Sequence, residues 1–83
     1  MSLNLERAAM RGQLAEAADQ RRSLRLKADG LCDSIRAGLN TALADVEEIN
    51  TALVAQQMDE LVMTMGELAG LQGKISRLER ELR

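Results

Sequence analysis

Arginines are the residues in this chain best placed to do chemistry. At about 100° per residue, Arg7, Arg11, Arg22, Arg25 and Arg36 fall within a sector of roughly 60° on one helix face. Guanidinium groups in such a row can hold phosphates or carboxylates, so they form a candidate anion or partner surface. The plainer reading is a coiled-coil flank, with the long stems covering an apolar seam and the charges pairing with acids on another chain. Two facts favour the flank. No Phe, Trp or Tyr is present to stack on bases, and 13 acidic residues outnumber 11 basic ones, for a net charge of −2; nucleic-acid binders are usually basic. A nucleic-acid- or nuclease-associated role for the arginine row is the alternative to a protein-binding one.

The remaining reactive groups point away from catalysis. Cys32 is the single cysteine and there is no histidine, so a nucleophilic thiol would lack its usual base. Cys32 is read as a half-buried structural thiol, and a zinc-type site is excluded by the same count. Asp45, Glu47, Glu48, Asp59 and Glu60 lack the spacing and glycine turn of a calcium loop. They suit the start of a helix and its solvated face. No catalytic, cofactor-binding or metal site is expected, and the chain is read as a non-enzyme.

Gly66, Gly70 and Gly73 share a helix face and include a GxxxG step, which permits close helix approach. Glu67 and Lys74 beside them rule out a membrane span, and the preferred reading is an exposed face. Met63 points away from the apolar stripe of its helix and is a candidate contact for a partner.

The elements that must position these residues are helices. The chain has no proline, and Leu, Ala, Met, Glu, Gln and Arg dominate its 83 residues. Two apolar stripes step by threes and fours: Leu3, Met10, Leu14, Leu24, Leu31, Ile35, and then Val54, Met58, Leu61, Met65, Leu68, Ile75, Leu82. The expected fold is all-α: one domain forming a long antiparallel two-helix hairpin. Helix 1 covers about 3–37, the connection about 38–50 and helix 2 about 51–82. Ser2 or Asn4 can cap helix 1, and Gly38 is a left-handed stop with Leu39 packing back after it. Asp45 and Glu48 have capping-box spacing. Asn50 is a second cap, with Ile49 and Val54 placed as a hydrophobic staple. Helix 2 therefore starts between 45 and 51, after a possible short helical turn.

The intramolecular seam is assigned to Leu14, Leu24, Leu31, Ile35, Val54, Met58, Leu61, Met65, Leu68 and Ile75. Its best register sets Ile35 against Val54 and Leu24 against Met65, with Lys27 beside Glu60 and Glu16 beside Lys74. Towards the open end the match worsens, with Met10 facing Glu79 and Arg7 facing Leu82, so fraying is expected there. Leu71 and Leu78 form a second apolar edge and, with Leu82, are the candidate oligomer interface. A seam without aromatics supplies only about 3–5 kcal/mol. Residues 1–38 carry seven basic and five acidic side chains, and residues 39–83 four and eight. Both observations favour a homo-oligomer, a dimer in the first instance, closing as a four-helix bundle.

No stretch reaches the ~18 apolar residues of a membrane span. Glu6 and Arg7 interrupt the apolar run a secretory leader needs. The single thiol suits a reducing compartment, so a cytoplasmic location is expected. Two segments, NLERAAMRGQLAEA (4–17) and VEEINTALVAQQMDELV (46–62), resemble small helical proteins encoded in Mu-like prophages. The resemblance implies a phage-derived, bacterial, cytoplasmic protein and carries over no functional residue. The sequence thus reads as a helical accessory protein that acts by self-association and protein binding, with its protein partner unspecified.

Overall fold

A computed structural model describes residues 3–83. It contains α1 (Leu3–Leu39), a single 3₁₀ turn (Val46–Glu48) and α2 (Thr51–Glu81). At 37 and 31 residues, the two helices are about 55 and 46 Å long. The start of α1 meets the end of α2, where the Arg7 guanidinium donates to the Leu82 carbonyl at 2.7 Å. The end of α1 meets the start of α2, where Gly38 lies against Val54. The helices are therefore antiparallel, and the molecule is a rod of 66 × 17 × 16 Å. The all-α hairpin is as the sequence implies.

The connection is built from local capping. The Asn40 side chain accepts from the Ala42 amide at 2.9 Å, which turns the chain away from α1. The Asp45 carboxylate accepts from the Glu47 amide at 3.4 Å and caps the 3₁₀ turn only, so Asp45 and Glu48 do not start α2. Asn50 does: its side-chain oxygen accepts from the Leu53 amide at 3.0 Å, satisfying one of the amides a helix leaves open. Ile49 and Val54 are both half-buried, at the positions of a staple. Ser2 lies outside the described residues, and Asn4 is already inside α1.

Gly38 is not a left-handed stop, since no described glycine has positive φ. The helix runs through it, and Leu39 is exposed rather than packed back. Gly38 is instead a point of close approach: a Cβ there would sit 3.0 Å from Val54 Cγ2. Gly12 and Gly30 have open space at the same point. Gly30→Ala should therefore stabilise the hairpin by about 0.5–1 kcal/mol, the difference in helix propensity. Gly38→Ala should recover less, because Val54 must give way. Urea midpoints of the two variants compare them directly.

The seam alternates steps of three and four along both helices, except for one step of seven on α1 from Ala17 to Leu24, past the exposed Arg21. On α1 it runs through Met10, Leu14, Ala17, Leu24, Ala28, Leu31 and Ile35. On α2 it runs through Val54, Gln57, Leu61, Thr64, Leu68, Leu71, Ile75, Leu78 and Leu82. This corrects the expected seam at two places. Met58 and Met65 are 44% and 52% exposed, and Gln57 and Thr64 stand one residue earlier in their stead. A helix turns as one body, so a single choice sets all four turns. Burying Met58 and Met65 would carry Gln72 and Glu79 into the seam. Burying Leu71 and Leu78 carries in Gln57 and Thr64. A buried Glu79 carboxylate costs far more than a threonine hydroxyl with a bonding partner, and leucine is the larger apolar gain.

The same rotation removes Leu71, Leu78 and Leu82 from the list of free surfaces. Leu78 is only 2% exposed, and Leu71 and Leu82 are half-buried, all within the hairpin itself. Nor is the open end the weak one. Ala17, Ile75 and Leu78 are buried there, and Arg7 ties the last turn.

Candidate interaction surfaces

The arginine row does not present five equivalent cations. Arg7 is half-buried and holds the Leu82 carbonyl. Arg22 pairs with Asp19 and Arg36 with Asp33, each at 2.8 Å and one turn away on the same helix. Such exposed pairs add little stability, but they set an acid against two of the five arginines. Arg11 and Arg25 keep no ion pair among the described residues. Arg25 instead shares an open groove between the helices with Arg21, Asp29, Met65 and Ala69. On the other side of the seam, Glu16 and Lys74 line one groove together with Glu67 and Gly70. Glu16 and Lys74 are neighbours across the helices, as the expected register placed them, without forming an ion pair. The only ion pairs among the described residues are the two within α1. Lys27 and Glu60 form none.

The outward side of α2 is apolar in its loop-proximal half. Met58, Val62, Met63 and Met65 are 44%, 64%, 68% and 52% exposed. Met58, Val62, Met65 and Ala69 follow helical spacing and form one stripe next to the seam. Gly66, Gly70 and Gly73 have nothing within 4 Å of their missing side chains, so the glycine face is open. The inward side of the same stretch alternates apolar Val54, Leu61 and Leu68 with two polar residues, Gln57 and Thr64. Thr64 is 1% exposed, and its hydroxyl donates to the Glu60 carbonyl at 2.8 Å. The Gln57 side-chain oxygen is buried without a hydrogen-bond partner. Over these turns Met58, Val62 and Met65 lie outside the seam while Gln57 and Thr64 occupy places within it.

Gln57, Thr64 and Val62 are the residues that the stripe reading overlooked. The signal was present: stepping back by sevens from Leu78 and Leu71 arrives at Thr64 and Gln57.

Little else offers chemistry. Cys32 is half-buried, as its position beside Leu31 suggests. Among the described residues, no group of three His, Cys, Asp or Glu could hold a metal ion, and no helix is long and apolar enough to cross a membrane. Fold and surfaces together define a helical hairpin whose distinctive feature is an outward apolar stripe. The chain matches no family model, no curated protein and no solved structure.

Proposed function

We propose that this chain is a non-enzymatic helical interaction protein, an accessory factor that works by binding protein through the outward face of α2. The observation that carries the reading is the uncovered apolar lane of that helix near the loop, beside a seam that holds two polar residues. Gln57 and Thr64 face in, while Met58, Val62, Met63 and Met65 face out. That rotation is set by the hairpin itself, which buries Leu78 and keeps Glu79 out, and it leaves Met58, Val62 and Met65 as apolar area that only a partner can bury. Flexible methionine side chains also adapt well to a partner surface. A phage-derived, cytoplasmic origin is part of the proposal and is supported by the resemblance of segments 4–17 and 46–62 to small Mu-like prophage proteins. The alternative, an arginine row serving nucleic acid, draws less support: three of its five members are occupied within the hairpin.

The test is site-specific photo-crosslinking in bacterial cells, with a photoreactive residue in place of Val62 or, separately, Gln13. The expected result is a protein adduct at 62 and none at 13. Equal labelling at both sites, or none at 62, would overturn the reading.

A further inference from the structure

Resting on that reading, we infer that the partner at this face is a second copy of the same chain. Met58, Val62, Met65 and Ala69 pack antiparallel on the same four residues of the other copy. In this pairing Val62 lies against Met65, and Met58 against Ala69.

Three features of the molecule lead there. The first is the width of the apolar surface on α2. The seam lane of Leu61, Leu68, Leu71, Ile75 and Leu78 is covered by α1. The stripe beside it is an additional lane, and helices that carry more than one seam lane belong to bundles rather than to isolated pairs.

The second is self-complementarity. An isologous contact requires a patch that fits itself after a two-fold rotation. The steps from Met58 to Val62, Met65 and Ala69 are four, three and four residues, which read the same in both directions. Reversal also places the long Met58 against the small Ala69, while the two middle residues share the centre. Gly66 stands beside that centre with open space at its Cβ position, so the two backbones can approach closely.

The third is charge. Between Thr51 and Ser76, α2 carries only Asp59, Glu60, Glu67 and Lys74. Glu67 and Lys74 line the groove on the other side of the seam, and Glu60, seven residues before Glu67, shares their lane. Asp59 is the one charge of α2 near the stripe, and reversal brings it towards Gly66 rather than towards another acid; α1 borders Met65 and Ala69 with Arg21, Arg25 and Asp29. No like charges of α2 oppose the pairing. Two hairpins joined this way bring four helices together.

Light scattering on the purified full chain is the experiment. The expected mass is twice the 9.1 kDa of one chain. Val62→Glu and Met65→Glu should each raise the dissociation constant at least about a hundredfold, since each buries a carboxylate twice in the symmetric contact. Both should keep the helical circular dichroism of the parent, because both positions are exposed in the hairpin. Orientation is read in a Cys32→Ser background by mixing Val62→Cys and Met65→Cys chains. The mixed disulfide should form in preference to either like pair. A monomer up to millimolar concentration overturns the inference, as does a dimer insensitive to both glutamates or a preference for like disulfides. A monomer that still crosslinks to other proteins through position 62 in cells overturns the second copy and leaves the protein-binding reading standing.

Discussion

Leu78→Ala is expected to lower the unfolding free energy by about 2–5 kcal/mol, the cost of emptying a buried leucine site. Leu78 is the largest fully buried apolar side chain, at 2% exposure. It lies in the half of the seam where Ala17 and Ile75 are also buried, so little neighbouring side chain is available to fill the space. A hairpin of this size has a total stability on the order of 3–5 kcal/mol. The variant should therefore lose much of its helical circular dichroism at 25 °C, or show a urea midpoint near zero. Met63→Ala is the control. Met63 is 68% exposed, and the change should stay within about 0.5 kcal/mol. Leu78→Glu separates two roles for this residue. If Leu78 belongs to the hairpin seam, the variant unfolds. A folded variant that merely halves its mass would instead assign Leu78 to a contact between copies.

Gln57→Leu should act in the opposite direction and stabilise the hairpin by about 1–3 kcal/mol. The side-chain oxygen of Gln57 is buried and accepts no hydrogen bond. The folded state therefore bears the desolvation cost of that group with no compensating bond, while water satisfies it in the unfolded chain. Leucine removes the group and extends the apolar seam between Val54 and Leu61. Thr64→Val is the matched comparison. The Thr64 hydroxyl already donates to the Glu60 carbonyl, so its removal gives up a bond along with the polar group, and the midpoint should move much less. Urea unfolding of both variants decides the point. A lower midpoint for Gln57→Leu would show that the amide is satisfied in solution. If the variant is more stable, Gln57 is an inward polar position retained at a cost in stability, as expected where the opposite face of α2 is committed to a partner.

The residues differ in how far they could be read in advance. The capping role of Asn50 was legible because it depends on neighbours three residues away. The register set Arg7 opposite Leu82 only as a mismatch that should fray; the bond from its guanidinium to the Leu82 carbonyl was not foreseen. Gly38 was misread: glycine near a helix end suggests a left-handed cap, whereas here its lack of a side chain makes room for Val54. The arginines formed a row on a helical wheel, but a wheel does not show that Arg22 and Arg36 find acids within their own helix. The identity of the inner lane of α2 was harder still. Steps of three and four are both helical, and Met58 and Met65 are better seam residues, taken locally, than Gln57 and Thr64.

By itself, then, the sequence determined the helical class, the two long elements, their antiparallel folding and the place of the turn. These depend on local propensity, capping and the average period of apolar residues, all of which short segments carry. Only the tertiary structure decided how α2 is rotated about its axis. That rotation is one variable shared by every turn of a stiff helix, set by the sum over its whole length. The sum favours Leu71 and Leu78 inside over Met58 and Met65, because the other rotation would bury Glu79. One long-range choice at the open end of the rod thus places the apolar stripe on the outside near the loop.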